Sequence, residues 1–172
     1  DRPAAIITIG EGIQLSFEDS YVGQLRRLVG NRKLITPAVS AIIRDGEERI
    51  LFIRRRDNDE WAMPAGMMEL DETVYDCLRR EVGEETGLDV RSATLISVKS
   101  GPSVSFTNMY GNEHQGLVFV FRVDKWAGDL IQETDETIDA AFFYGDEAHK
   151  VNEFNRENLS DLRDFAGQVF LK

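Results

Sequence analysis

The chain has 172 residues, of which 42% are hydrophobic and 30% charged, and its formal net charge is −11. Those proportions suit one globular domain with a sizeable core, and the negative charge argues against general adhesion to nucleic acid or anionic membrane. The single cysteine excludes an internal disulfide, and no apolar run reaches the ~18 residues of a membrane-spanning helix.

Ala4 to Ile9 reads as a short strand that Gly10 and Gly12 interrupt. Ser20 is placed to cap a helix carrying Tyr21, Leu25 and Leu28 on one face, with Gly30 as its stop. Residues 1–35 form an extension ahead of the main part of one domain spanning 1–172. Arg26, Arg27, Arg32 and Lys33 make this extension the most basic stretch of the chain. It is either a solvated helix packed on the domain or a cap that touches substrate or a dimer partner.

Pro37 precedes a strand from Ala38 to Arg44, Asp45-Gly46 is a turn signal, and Ile50 to Arg54 is a second strand. The two are expected to pair as a hairpin. Alternation puts Arg54 and Arg56 on one side of the second strand and Arg55 on the other. Arg54 and Arg56 are the candidates for binding a substrate phosphate; the plainer reading is a charged strand end.

After the loop Trp61 to Gly66, a helix is expected from Glu72 to Thr86. Asp71 or Thr73 can cap it, Glu72 and Asp76 suit its positive end, and Gly87 can end it in a left-handed conformation. Val74, Cys77, Leu78 and Val82 recur at helical spacing and form its buried stripe, which makes Cys77 a packing residue rather than a nucleophile. Glu81, Glu84 and Glu85 lie three and four residues apart and share a face. Like charges at that spacing repel by ~0.2–0.5 kcal/mol per pair, and carboxylate oxygens in such a group suit a hard cation, magnesium or manganese.

Beyond the helix, strands are expected at Ala93 to Ser100, Val104 to Tyr110, Gly116 to Val123 and Thr137 to Tyr144. Ser160 is expected to cap a last helix whose apolar face is Leu162, Phe165, Ala166, Val169 and Phe170. There is no internal repeat and no linker composition. Strands on both sides of a central helix, with a second helix at the end, give an α/β sandwich around a mixed sheet.

The stretch Gly66 to Leu88, GMMELDETVYDCLRREVGEETGL, resembles the signature of the Nudix hydrolases. Gly66, Glu72, Arg80-Glu81, Val82, Glu84-Glu85, Gly87 and Leu88 stand at each of its defined positions. The segments YVGQLRRLVGNRKLITPAVSAII and DETIDAAFF also look like parts of bacterial members. One departure is Ala65, where the family has the first of two glycines; alanine keeps the backbone carbonyl that the family uses as a metal ligand.

The resemblance implies an α/β/α sandwich and a pyrophosphohydrolase that cleaves a nucleoside diphosphate linked to another group. It implies Mg2+ as cofactor, with Mn2+ as a substitute, held by the Ala65 carbonyl, Glu81, Glu84 and Glu85. The implied catalytic set is Arg80, Glu81, Glu85 and Glu136. Arg80 orients the carboxylates, Glu72 is its partner or a further ligand, and Glu81 is a ligand or the general base. Glu136, with Glu133 second, is the glutamate from a later loop that closes the site. The implied partner is a small nucleotide, with no membrane or nucleic acid, in a possible homodimer, and the expected location is cytoplasmic. Pro102 sits near where members that cleave ADP-ribose carry a proline, which favours ADP-ribose or a nucleotide sugar. Nucleoside triphosphates, RNA 5′ ends and non-catalytic sensing are the alternatives. Phe17, Tyr21, Phe106 and Tyr110 are candidates to stack on a base.

Overall fold

The computed structural model describes residues 17–108, 110–144 and 151–172. The strand expected at Ala4 to Ile9 lies outside them. The described elements are α1 (Tyr21–Val29), β1 (Leu34–Ile43), β2 (Ile50–Arg55), β3 (Trp61–Ala62), β4 (Ala65–Met67) and α2 (Val74–Thr86), followed by β5 (Asp89–Lys99), β6 (Ser105–Thr107), β7 (Glu113–Ala127), β8 (Thr137–Phe143), α3 (Glu153–Asp164) and β9 (Phe170–Leu171).

Two sheets form. One runs in the order β4-β1-β7-β5-β9, with β6 also on β7; the other runs β3-β2-β8. β1 and β7 pair in parallel from Leu34 opposite His114 to Ile43 opposite Val123. Their sequences are near-continuous apolar runs because each is covered on both faces. Val39, Ala41 and Ile43 of β1, with Leu51 and Ile53 of β2, face Cys77, Leu78 and Val82 of α2. Ile42 and Val120, with Ile50 and Phe52, face the other way, towards Phe154, Leu159 and Leu162 of α3. The sheets therefore lie between α2 and α3, the expected sandwich around a mixed sheet.

The expected hairpin between β1 and β2 does not form. Asp45 does organise a turn, accepting backbone N–H groups of Glu47 and Arg49, but the strand pairing stops at an isolated bridge between Arg44 and Ile50. The turn carries the chain from one sheet to the other, since β1 takes β7 as partner and β2 takes β8. The last helix also differs. Asn152 caps it through the Asn155 N–H, so it starts at Glu153, and Ser160 lies inside it. Phe165 ends it and Phe170 belongs to β9, so the apolar face expected beyond Ser160 splits between two elements. At the front of the chain, the caps of α1 follow expectation: Ser20 accepts the Gly23 N–H, and Gly30 takes a positive φ of 63°. Its buried face, however, is Val22, Gly23 and Arg26 rather than Tyr21, Leu25 and Leu28, and Leu28 is exposed. Among the described residues no helix is long and apolar enough to cross a membrane.

Candidate active site

The site grows from the polar side of α2. Thr73 caps this helix in a reciprocal box with Asp76, and Gly87 closes it with φ 74°. The helix starts at Val74, so Glu72 stands just ahead of it with its carboxylate facing back along the first turns. Burial holds the Cys77 thiol far above its usual range, which leaves it a packing group.

Arg80 organises the carboxylates. Its Nε and Nη2 donate to the two oxygens of Glu72 at 3.1 and 2.9 Å. Its Nη1 donates to Glu81 at 2.7 Å and to Glu84 at 3.1 Å, and Nη2 also reaches the Met67 carbonyl at 3.0 Å. The guanidinium fork fits this bidentate geometry, which a lysine would not reproduce. Burial opposes the Arg80 charge, but Glu72 and Glu81 hold it firmly protonated.

Glu81, Glu85 and Glu136 each offer a carboxylate oxygen within 4.8 Å of the others. Glu81 and Glu85 are buried, while Glu136 comes from the exposed turn before β8. Burial pushes Glu81 up to about 7 against the pull of Arg80, and lifts Glu85 well above the ordinary carboxylate range. Burial also raises Glu84. Acids this close cannot all be ionised without a counter-charge. Three convergent carboxylate oxygens, two of them on buried acids, fit a hard divalent cation. Glu84 is engaged with Arg80 and stands outside the cluster of three. Ala65 meets the site through its N–H, which donates to Glu85 at 2.9 Å.

Of the three arginines that end β2, Arg54 pairs with Asp59 at 2.8 Å and Arg56 with Glu133 at 3.0 Å, both on the exposed surface. Arg55 is the one beside the cluster, with Nη1 3.7 Å from Glu85. Sequence reasoning passed over it. The available signal was the face: Leu51 and Ile53 point towards α2, and Arg55 continues their alternation. Burial works against its charge, but Asp57 and Glu85 more than offset that.

The family model of the NUDIX domain matches residues 34–162. The chain belongs to the Nudix family. That places it among hydrolases of phosphorus-containing anhydrides. The Nudix chain is 35% identical over 104 residues to the human 8-oxo-dGDP phosphatase NUDT18, covering 58% of this chain and 32% of that protein. It is 34% identical over 111 residues to the ADP-ribose pyrophosphatase of Methanocaldococcus jannaschii, covering 62% of this chain and 60% of that protein. The chain thus spans less than two thirds of the length of each. A solved MutT Nudix hydrolase from Burkholderia pseudomallei shares the fold, with a TM-score of 0.61, 24% identity, and 75% of this chain and 98% of that one covered.

Proposed function

We propose that this Nudix chain is a metal-dependent pyrophosphohydrolase acting on a nucleoside diphosphate linked to another group, with ADP-ribose or a nucleotide sugar as substrate class. The observation that carries this reading is the convergence of Glu81, Glu85 and Glu136 within 4.8 Å, next to the Arg55 guanidinium. Magnesium, or manganese in its place, would be held by Glu81 and Glu85 with Glu84 and the Ala65 carbonyl adjoining. A divalent ion there lowers the pKa of water and neutralises phosphate oxygens.

The protein groups do the rest. Arg55 is positioned to bind a phosphate of the bridge while its charge also balances Glu85. Arg80 keeps Glu81 and Glu84 in fixed orientation. That Glu136 is the exposed member of the cluster supports its carboxylate as the acceptor of the proton of an attacking water. The names of both relatives describe diphosphate compounds, ADP-ribose and 8-oxo-dGDP, which favours a diphosphate over a triphosphate substrate.

The deciding experiment is a hydrolysis screen over ADP-ribose, nucleotide sugars, ordinary and oxidised nucleoside di- and triphosphates and 5′-triphosphorylated RNA. It is run with Mg2+ and with Mn2+, and products are identified by mass. The expected products are AMP and a sugar phosphate. Faster turnover of a triphosphate with release of pyrophosphate, or of RNA, would replace the substrate assignment. Binding without turnover of any compound would make the chain a sensor.

A further inference from the structure

Helix α1 lies ahead of the residues that the family model matches, 34–162, yet it is tied into the carboxylate network. The tie is Glu69, in the loop between β4 and α2. Its Oε2 accepts the backbone N–H of Tyr21, the first residue of α1, at 2.7 Å. That N–H is one of the donors a helix leaves without an internal partner, and the helix dipole adds to its attraction for a carboxylate. The backbone N–H of Glu69 in turn donates to Glu72 Oε1 at 2.7 Å. This is the same oxygen that receives Arg80 Nη2 at 2.9 Å. Arg80 then passes to Glu81 and Glu84.

The helix is anchored at its other end as well. The Arg26 guanidinium is buried and donates to the carbonyls of Arg32 and Glu113, both at 2.6 Å, and of Gly30 at 3.1 Å. Held at the far end on the first residue of β7, and at the near end by Glu69, α1 is a strut whose position sets the position of the Glu69 side chain. The peptide of Glu69 is thereby placed against Glu72. A carboxylate that must serve both the Glu69 N–H and two Arg80 nitrogens has little rotational freedom left.

We propose that Glu69 is a positioning residue, through which helix α1 fixes the Glu72–Arg80 pair and hence the orientation of Glu81 in the metal-binding cluster. The proposal rests on the hydrolase reading for its kinetic consequence only. Its structural content is a relay of five groups, Tyr21, Glu69, Glu72, Arg80 and Glu81, joined by hydrogen bonds. In a relay, cutting one link should remove the effect of cutting the next.

Two variants cut the first link. Glu69→Ala removes the acceptor. Tyr21→Pro removes the donor, at a helix position that tolerates proline and after a residue, Ser20, already extended at φ −62° and ψ 156°. Glu69→Gln keeps an acceptor oxygen for the Tyr21 N–H. The two readouts are steady-state kinetics on the best substrate of the screen and the affinity for Mn2+ alone, followed by the paramagnetic signal of the free ion. Both cutting variants are expected to lower kcat ~10-fold with KM within about twofold, and to weaken Mn2+ binding ~3-fold or more. Glu69→Gln is expected to recover most of both. In a Glu72→Gln background, Glu69→Ala is expected to add little further loss, because the relay is already broken.

A kcat and an Mn2+ affinity of Glu69→Ala both within twofold of wild type would overturn the proposal. So would an equal, additive loss in the Glu72→Gln background, which is the signature of a merely structural contact, or wild-type protein that binds no Mn2+. If the wild type binds Mn2+ but hydrolyses nothing, the hydrolase reading fails, and the Mn2+ titration of the same variants decides the relay by itself.

Discussion

Gly66 leaves bare the space that the Glu81 carboxylate fills. A Cβ built on Gly66 would stand 1.9 Å from the carboxyl carbon of Glu81 and 2.1 Å from each of its oxygens. The glycine ahead of α2 is therefore a requirement of side-chain room, since Glu81 lies against the bare Cα of the loop. Its neighbour Ala65 carries a Cβ and is accommodated, with its N–H on Glu85.

Gly66→Ala is accordingly expected to displace the Glu81 carboxylate from the cluster while the fold persists. Glu81 is a flexible side chain, so the clash is relieved by its rotation at little cost to the sheets. The expected outcome is a loss of kcat of ~100-fold, with an unchanged far-ultraviolet circular dichroism spectrum. Activity within about twofold of wild type would show that Glu81 can leave its place without consequence.

Glu85 is the most buried acid of the cluster, at 1% exposure, and Glu84 its half-buried neighbour on α2. Glu85→Gln is expected to lower kcat ~100-fold or more, and Glu84→Gln ~10-fold or more, through weakened metal binding. Glu85→Gln also removes a buried acid whose charged form is disfavoured by burial and by Glu81, so it is expected to raise the melting temperature at neutral and higher pH in the presence of a chelator. Full activity in both variants would remove these carboxylates from the metal site.

The burial that raises Glu81 to about 7 has a consequence for stability. The folded state holds this proton up to about pH 7, whereas the unfolded chain releases it near the ordinary glutamate value, ~4.3. Between those limits the folded state binds more protons, so stability falls as pH rises through this window in metal-free protein. Glu85, raised well above its ordinary value, pushes in the same direction. Glu72, lowered by Arg80 despite burial, and Asp161, lowered by Lys172 and Lys99, act the opposite way, and below that window. Urea unfolding with chelator at about pH 5 and about pH 7 should show the lower midpoint at the higher pH, and added Mg2+ should close the gap. A midpoint that rises with pH would mean that Glu81 and Glu85 do not outweigh His114, whose buried imidazole is held below its usual range and so favours the higher pH.

The helix α2 and its carboxylates were legible in the sequence because each constraint there is local. Thr73, Gly87, the apolar stripe and the glutamate spacing all act within one helix. The pairing of β1 with β7 was not legible, because the turn at Asp45-Gly46 is a local signal for a hairpin, while the parallel partner lies far along the chain. The start of α3 was missed for a related reason. Asn152 and Ser160 are both good capping residues, and what decides between them is the core that Phe154 and Leu159 enter. Arg55 needed the same knowledge: alternation separates it from Arg54 and Arg56, but which side faces α2 is a property of the packed sheets. The convergence of Glu136 on Glu81 and Glu85 brings together side chains far apart in the chain; only the acidic run before a strand hinted at it.

Arg55 can be tested against its neighbours. A charge-assisted bond to a phosphate contributes ~1.5–3 kcal/mol, so Arg55→Ala is expected to raise KM ~10-fold or more. Loss of its charge also lifts Glu85 further, so the Mg2+ concentration for half-maximal rate should rise. Arg54→Ala and Arg56→Ala, which remove exposed pairs with Asp59 and Glu133, are expected to stay within about twofold of wild type. A larger KM effect from Arg54 or Arg56 than from Arg55 would return the phosphate contact to the sequence-based candidates.

Glu136 is the member of the cluster that α2 does not supply. It precedes β8, whose pairing with β2 at Arg55 opposite Thr137 brings the turn over the glutamates. Its backbone carbonyl accepts the Arg56 N–H at 2.9 Å, which ties that turn to the end of β2. Glu133, the second candidate, instead pairs with Arg56 on the surface. If Glu136 takes the proton from the attacking water, its removal acts on the transition state and leaves ground-state binding nearly intact. Glu136→Gln is then expected to lower kcat ~100-fold or more with KM within about twofold. Glu133→Gln is expected to have kcat near that of wild type. The comparison is made on the best substrate of the screen at saturating Mg2+, so that any loss of metal affinity is masked and the chemical step is read alone. A Glu136→Gln enzyme with kcat within about twofold of wild type would make Glu136 a surface residue of the cluster, and would leave Glu81 as the base.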